Sequence, residues 1–128
     1  MEEKRPTIIV VDDIVYHLNA TFQILNKKYN VIGAVSSEIL FHILENITPD
    51  LILLDIEMPV IDGYEVCKLL KNTTKTANIP VIFYSSNEDS ESRLKGLNLG
   101  AVDYIIKPSN ANALKERIEF HLKAQVYN

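Results

Sequence analysis

The chain of 128 residues has little cysteine, glycine and proline, and it has no tryptophan. Cys67 is the only cysteine, so no disulfide can form within the chain, which is compatible with a reducing compartment. No apolar run approaches the roughly 20 residues of a membrane-spanning helix. The charged N-terminus lacks the pattern of a signal peptide. We therefore expect a cytoplasmic protein.

The chain has fewer positively than negatively charged residues. It contains 13 lysines and arginines and 17 aspartates and glutamates, which gives a formal net charge of −4. This balance argues against binding of nucleic acid by bulk electrostatics. The apolar share of 47% and the charged share of 23% are ordinary for a soluble protein. We expect a single domain over residues 1–128, with a core of about 7–124, or a domain cut from a longer protein with a C-terminal output domain.

Five short apolar runs predict β-strands, and amphipathic stretches that predict helices alternate with them. The predicted strands are 8–11, 31–35, 51–54, 81–84 and 102–106. Helices are expected at about 14–28, from Ser36 or Ser37 to Pro49, at 64–72, at 87–98 and after a cap near Ser109 or Asn110. This alternation predicts an α/β fold, with a parallel sheet, right-handed crossovers and helices on both faces.

Each predicted helix has an apolar face that should point to the sheet. The expected inward residues are Ile14, Leu18, Phe22 and Leu25 in the first helix; Ile39, Leu40, Ile43, Leu44 and Ile47 in the second; and Val66, Leu69 and Leu70 in the third. The fourth helix is the weakest. Leu94 and Leu97 give it a narrow apolar stripe, and Gly96 should cost about 1 kcal/mol relative to alanine.

Chemically active side chains follow four of the strands: Asp12 and Asp13 after the first, Asp55 after the third, Ser85 after the fourth and Lys107 after the fifth. By itself Asp55 fits a turn cap equally well, because aspartate is common where strands give way to turns. In a sheet of order 2-1-3-4-5, strands one and three are neighbours where the winding reverses, and ligands bind at that edge. The three carboxylates would then converge.

Converging carboxylates need compensation. Two unit charges about 4 Å apart repel by about 4 kcal/mol at an effective dielectric constant near 20. Three carboxylates therefore require proton uptake or a counter-ion, and Mg²⁺ prefers such hard oxygen ligands. Lys107 adds a fixed positive charge and Ser85 adds a hydroxyl donor. A carboxylate nucleophile together with a divalent cation, an ammonium group and a hydroxyl group indicates phosphoryl transfer to an aspartate.

On these residues the chain resembles the response-regulator receiver domain of two-component signalling, from Ile8 to about Leu122. The resemblance rests on Asp12 and Asp13, on Asp55 with Met58, Pro59 and Gly63, on Ser85, and on Tyr104 to Pro108 with Lys107. It implies a flavodoxin-like, doubly wound sheet of order 2-1-3-4-5. Helices one and five would lie on one face, and helices two, three and four on the other.

The resemblance also implies a reaction at Asp55. This carboxylate would accept a phosphoryl group from the phosphohistidine of a sensor histidine kinase or phosphotransfer protein. Asp12, Asp13, Asp55 and the backbone carbonyl of Glu57 would hold Mg²⁺, for which Mn²⁺ could substitute. Lys107 would pair with Asp55 or with the bound phosphoryl group. The domain would be regulatory rather than an enzyme, with self-catalysed phosphorylation and slow autodephosphorylation.

The implied output is a conformational switch. Ser85 would hydrogen-bond a phosphoryl oxygen, and Tyr104 would turn inward as Ser85 moves. The remodelled face would be helix four, strand five and helix five, and it would act on an output domain, on a downstream partner or in a phosphorylation-linked dimer. Two departures from the family pattern, Ser86 in place of alanine and the acidic Glu57, could alter access to the phosphoryl group. Ser109 replaces a phenylalanine that many members carry, which puts in doubt membership of the best-known DNA-binding subfamily.

Three other functions compete with this interpretation. An aspartyl-phosphate hydrolase would need a substrate pocket, which 128 residues hardly provide. A nucleotide or flavin module would need a phosphate-binding loop, but residues 12–19 contain neither glycine nor serine. A receiver used only for docking would need a defect in the site. His17, His42 and His121 are expected at the surface, Cys67 as an apolar filler, and the charges of the last helix as a solvated face.

Overall fold

The computed structural model describes residues 4–126, which form five parallel strands and five helices in strict alternation. The strands are β1 (Thr7–Val11), β2 (Asn30–Ala34), β3 (Leu51–Leu54), β4 (Val81–Ser85) and β5 (Asp103–Ile106). The helices are α1 (Val15–Leu25), α2 (Ser37–Leu44), α3 (Gly63–Lys71), α4 (Ser90–Asn98) and α5 (Ala111–Val126). Among them no helix has both the length and the apolar character needed to cross a bilayer.

The sheet has the order β2-β1-β3-β4-β5, so the predicted doubly wound fold is confirmed. All four residues of β3 are buried, because helices cover both faces of this central strand. One apolar layer joins the sheet to α1 and α5 through Leu25, Leu114 and Ile118. The other layer includes Leu40 of α2 and Val66 of α3. These layers confirm the predicted faces of α1, α2, α3 and α5, and Gly96 of α4 lies against Phe83 of the second layer.

Side-chain caps determine where several helices begin. Ser36 Oγ accepts the amide hydrogen of Ile39 and starts α2. At the start of α5, Asn110 Oδ1 accepts the amide hydrogens of Asn112 and Ala113. Asp89 caps α4, which therefore begins at Ser90, three residues later than predicted. Helix α1 is also shorter than predicted, at 15–25 rather than 14–28.

Several predictions of inward-facing residues were wrong. Ile14 is the N-cap residue of α1 and is half exposed, whereas the polar Thr21 is buried because its hydroxyl donates to the His17 carbonyl. Leu69 of α3 is 41% exposed, and Cys67 takes the inward position. Four further aliphatic residues predicted inward are also exposed: Ile39, Ile47, Leu94 and Leu97. The apolar periodicity predicted the helices correctly, but it predicted more inward-facing residues than the structure has.

Gly96 has a packing role that its low helix propensity conceals. It is buried, and a Cβ atom at this position would lie 2.7 Å from Cδ2 of Phe83. The missing side chain lets α4 approach the aromatic rings of Phe83 and Tyr104 closely. The prediction that Gly96 merely weakens the helix was therefore incomplete.

The substitution Gly96→Ala should accordingly destabilise the protein, although propensity alone predicts a gain of about 1 kcal/mol. Displacement of the Phe83 ring by the new methyl group should cost about 1–3 kcal/mol. Urea unfolding of the variant and wild type measures the difference. The exposed Asn98→Ala in the same helix controls for propensity, and a more stable Gly96→Ala would show that the rings move freely.

Candidate functional site

The acidic cluster lies where β1 and β3 end side by side. Val11 pairs with Leu54 across the two strands, so the residues that follow, Asp12 and Asp55, emerge together at the carboxyl edge. The amide of Asp55 donates to the Val11 carbonyl at 2.9 Å, which fixes the start of its loop. Oxygen atoms of Asp12, Asp13 and Asp55 all lie within 4.8 Å of one another. The structure thus brings the three predicted carboxylates together.

Lys107 bridges two of these carboxylates. Its Nζ lies 2.6 Å from Asp12 Oδ2 and 3.5 Å from Asp55 Oδ1. All three side chains are nearly buried, so this contact is weakly screened by solvent. The expected pairing with Asp55 is present, but the shorter contact is with Asp12, which the sequence did not indicate. Lys107 therefore offsets part of the negative charge of both residues.

The acidity of Asp55 is strongly perturbed by its surroundings. Burial raises its pKa from 3.8 to about 6. The nearby Lys107 opposes this rise, and the charge of Asp12 adds to it. At neutral pH this carboxylate is therefore charged but poorly solvated, and a bound cation would stabilise it.

We predict that Asp55 titrates near pH 6 in metal-free protein, about two pH units above an ordinary aspartate. Because its pKa is raised on folding, its contribution to stability is complete below about pH 4 and is lost as the pH rises through about 6. Carboxyl ¹³C NMR would follow the titration. In Lys107→Met the midpoint should move higher. A midpoint near 4 in wild type would contradict the prediction.

The residues present fit a small divalent cation. Asp13 Oδ1 is buried and has no hydrogen-bond partner within residues 4–126, which is expected of an oxygen that can bind a cation. The donor set consists of carboxylate oxygens, which Mg²⁺ prefers. Asp12 Oδ1 accepts the amide hydrogen of Ile14, so its carboxylate is held in place before any cation binds.

The loop after Asp55 is held by an unusually close backbone contact. The amide of Gly63 donates to the Ile56 carbonyl at 2.7 Å. A Cβ at Gly63 would lie 2.8 Å from Cα of Ile56 and closer still to the Asp55 carbonyl oxygen. Asp62 then caps α3 by accepting the amide hydrogen of Glu65. The sequence signalled a turn at Gly63 but not this approach to the acceptor residue.

Between these residues the loop carries a strained position. Val60 has φ +72 and a fully exposed side chain. A β-branched residue rarely adopts this left-handed conformation. Glu57, in the same loop, is exposed, so its side chain is free to face an approaching ligand or partner.

The hydroxyl predicted beside the site, Ser85, is buried at the end of β4. Ser85 Oγ accepts the amide hydrogen of Asn87 at 3.1 Å. Tyr104, on the neighbouring β5, is only 2% exposed, and its hydroxyl donates to the Asn87 carbonyl at 2.9 Å. The ring thus lies inward in this structure. Ser86 is exposed at the edge of the site.

The histidine predictions were only partly right. His42 is exposed as expected, but His121 is largely buried, with Nε2 2.9 Å from Asp103 Oδ2. Arg117 also binds Asp103 through two nitrogen atoms, so helix α5 is anchored to β5 rather than merely solvated. These hydrogen bonds hold the pKa of Asp103 below its usual value although burial raises it. His17 Nδ1 is buried 3.8 Å from Asp12 Oδ2.

This fold and site define the receiver class of signalling domains. The chain belongs to the family of response regulator receiver domains, whose family model matches residues 8–119. The predicted resemblance is therefore confirmed. The acidic cluster, the hydroxyl and the lysine all stand on the strand ends where the resemblance implied them.

Among curated proteins, the chain is 39% identical over 117 residues to a probable cyclic di-GMP phosphodiesterase of Vibrio cholerae. It is 36% identical over 123 residues to the probable transcriptional regulator ycf27 of Porphyridium aerugineum. These matches cover 91% and 94% of this chain but 26% and 49% of the relatives. The chain therefore spans about a quarter of one relative and half of the other.

Solved structures agree with the fold. The receiver domain protein (CheY-like) from Methanospirillum hungatei JF-1 superimposes with a TM-score of 0.88 at 30% identity, over 97% of this chain and 98% of that one. The BeF3-activated DrrB receiver domain gives a TM-score of 0.84 at 30% identity, covering 94% and 99% of the two chains.

Proposed function

We propose that the domain is a phosphoacceptor, which takes a phosphoryl group onto Asp55 from the phosphohistidine of a kinase or phosphotransfer protein. The observation that carries this proposal is the placement of a partly buried carboxylate among two acidic residues and a lysine at the switch point of the sheet. In the reaction, an Asp55 oxygen attacks phosphorus, the bond from phosphorus to the donor nitrogen breaks, and histidine leaves.

The residues of this chain supply the remaining roles. Lys107 neutralises charge on the transferred group, for which it must give up part of its contact with Asp12. Ser85 donates its hydroxyl to a phosphoryl oxygen. Asp12, Asp13, Asp55 and the Glu57 carbonyl hold Mg²⁺ or Mn²⁺. When bound, the cation screens the carboxylates and the phosphoryl oxygens from one another.

The output is a population shift. Phosphorylation adds charge and acceptor oxygens at the edge of the sheet, and it favours the state in which Ser85 contacts the phosphoryl group. Tyr104 alternates between the buried position described above and an outward one, and the buried position accompanies phosphorylation. The changed face of α4, β5 and α5 then acts on an output domain, a downstream partner or a second copy.

Incubation with acetyl phosphate and Mg²⁺ tests the central step. Intact-mass spectrometry should show one added phosphoryl group, and EDTA should prevent its addition. Wild-type protein that takes up no phosphoryl group with Mg²⁺ present would refute the proposal. Release of phosphate from many phosphomonoesters would instead favour a hydrolase.

Ser86 and Glu57 should tune the lifetime of the phosphorylated state, because both are exposed, Ser86 lines a groove together with Lys107, and Glu57 follows Asp55 by two positions. Ser86→Ala should open access for water, and Glu57→Asn should remove a negative charge that attracts the cation and repels the phosphoryl oxygens. We expect each to change the rate of dephosphorylation by roughly two- to tenfold, the effect of one polar contact. Loss of the phosphoryl group would be timed by mass spectrometry against Glu65→Gln. Dephosphorylation rates equal to that of wild type would show that neither residue influences the phosphoryl group.

A further inference from the structure

Asn87 joins the two residues of the proposed switch. Its backbone amide donates to Ser85 Oγ at 3.1 Å, and its carbonyl accepts the hydroxyl hydrogen of Tyr104 at 2.9 Å. One peptide segment therefore binds both the hydroxyl on β4 and the aromatic ring on β5. Both contacts use backbone atoms of residue 87, so no pattern of residue types indicates them.

The side chain of Asn87 fixes this segment to the start of α4. Its Oδ1 accepts the amide hydrogen of Asp89 at 2.8 Å, and its Nδ2 donates to Ser92 Oγ at 3.1 Å. The Ser92 carbonyl in turn accepts the hydroxyl hydrogen of Tyr64 at 3.1 Å, which ties the same turn to α3. All four hydrogen-bonding groups of Asn87 are thus used, and an amide side chain is what supplies both a donor and an acceptor.

We propose that Asn87 is a positioning residue for Ser85 and Tyr104, whose amide holds the segment so that the hydroxyl and the ring move together. This inference rests on the proposed function. Ser85 can donate its hydroxyl hydrogen to a phosphoryl oxygen while its Oγ still accepts the amide hydrogen of Asn87. Movement of Ser85 toward that oxygen then displaces the same segment whose carbonyl accepts the Tyr104 hydroxyl hydrogen, and so links the ring to the event at Asp55.

The test is a double-mutant cycle on beryllofluoride binding with Mg²⁺, measured by ¹⁹F NMR. Asn87→Ala and Tyr104→Phe should each weaken binding by roughly two- to tenfold, the range of a single hydrogen bond. The double variant should be no weaker than either single one, because both changes break the same linkage. Additive effects would overturn the proposal. The exposed Asn112→Ala, in the first turn of α5, is the matched control and should bind as wild type does.

Two readouts separate positioning from a general loss of structure. In protein with ¹³C-labelled tyrosines and no ligand, Asn87→Ala should give the Tyr104 ring a shifted or exchange-broadened signal, while the Tyr29 ring keeps its own. Ser92→Ala removes only the hydroxyl that accepts the hydrogen bond from Asn87 Nδ2, and it should change the Tyr104 signal in the same direction but less. This second variant keeps the test valid if Asn87→Ala does not fold. An unchanged Tyr104 signal in both variants would reject the proposal. Failure of wild type to bind beryllofluoride would instead count against the phosphoacceptor function.

Discussion

Asp55→Asn should take up no phosphoryl group from acetyl phosphate or a phosphohistidine donor, while the protein remains folded. The amide oxygen of asparagine is a poor nucleophile and cannot form the acyl phosphate, so labelling should fall to the background level. The variant also removes one of the three carboxylates and should weaken Mg²⁺ and beryllofluoride binding together. Intact-mass spectrometry and ¹⁹F NMR measure the two effects.

The same variant should be more stable than wild type at pH 7.5. Asp55 is charged there in surroundings that raise its pKa to about 6, so removal of the charge relieves a penalty. Allowing for partial solvation, we expect a gain of about 1–2 kcal/mol, which should vanish near pH 4. Thermal unfolding in EDTA at the two pH values measures this difference.

Asp62→Asn is the matched control for both effects. Asp62 belongs to the same loop, is exposed and caps α3, a role that asparagine fills equally well. This variant should be labelled like wild type. An Asp55→Asn protein that still gained one phosphoryl group with Mg²⁺ would place the acceptor elsewhere, with Asp12 and Asp13 as the next residues to replace.

The core of the site could be predicted because it follows from strand topology. Once β1 and β3 are neighbours, the residues after Val11 and Leu54 must meet at the carboxyl edge, whatever their rotamers. The apolar run of β3 gave its bounds correctly because a strand buried on both faces has no polar interruption. Topology, however, says nothing about which carboxylate is closer to Lys107.

What the sequence did not reveal depends on pairs of residues distant along the chain. His121 was expected at the surface, but its ring contacts Asp103 because α5 packs against β5. The Asn87 contacts use backbone groups, which every residue has, so no pattern of residue types marks them. Buried polar groups find partners in the folded state, but only coordinates identify those partners.

Gly63→Ala should be among the most damaging single substitutions in this loop. The new methyl group would meet the backbone of Asp55 and Ile56 rather than a flexible side chain. Either α3 or the acceptor residue must shift, at a cost of about 3 kcal/mol or more. Urea unfolding measures the loss. Because the Asp55 backbone is among the groups that the new methyl group meets, beryllofluoride binding should weaken even under conditions in which the variant is fully folded.

Gly33→Ala distinguishes this clash from the general effect of replacing a glycine. At Gly33 the nearest atoms to the added one all belong to the Leu18 side chain, with Cδ2 at 3.1 Å, and this side chain can rotate away. That variant should differ from wild type by less than about 1 kcal/mol and should bind beryllofluoride normally. If Gly63→Ala proved equally harmless, the loop would have to relax without moving Asp55. The close approach of α3 would then not be what positions Asp55. The cap that Asp62 forms on α3 would be the remaining contact that orients the loop.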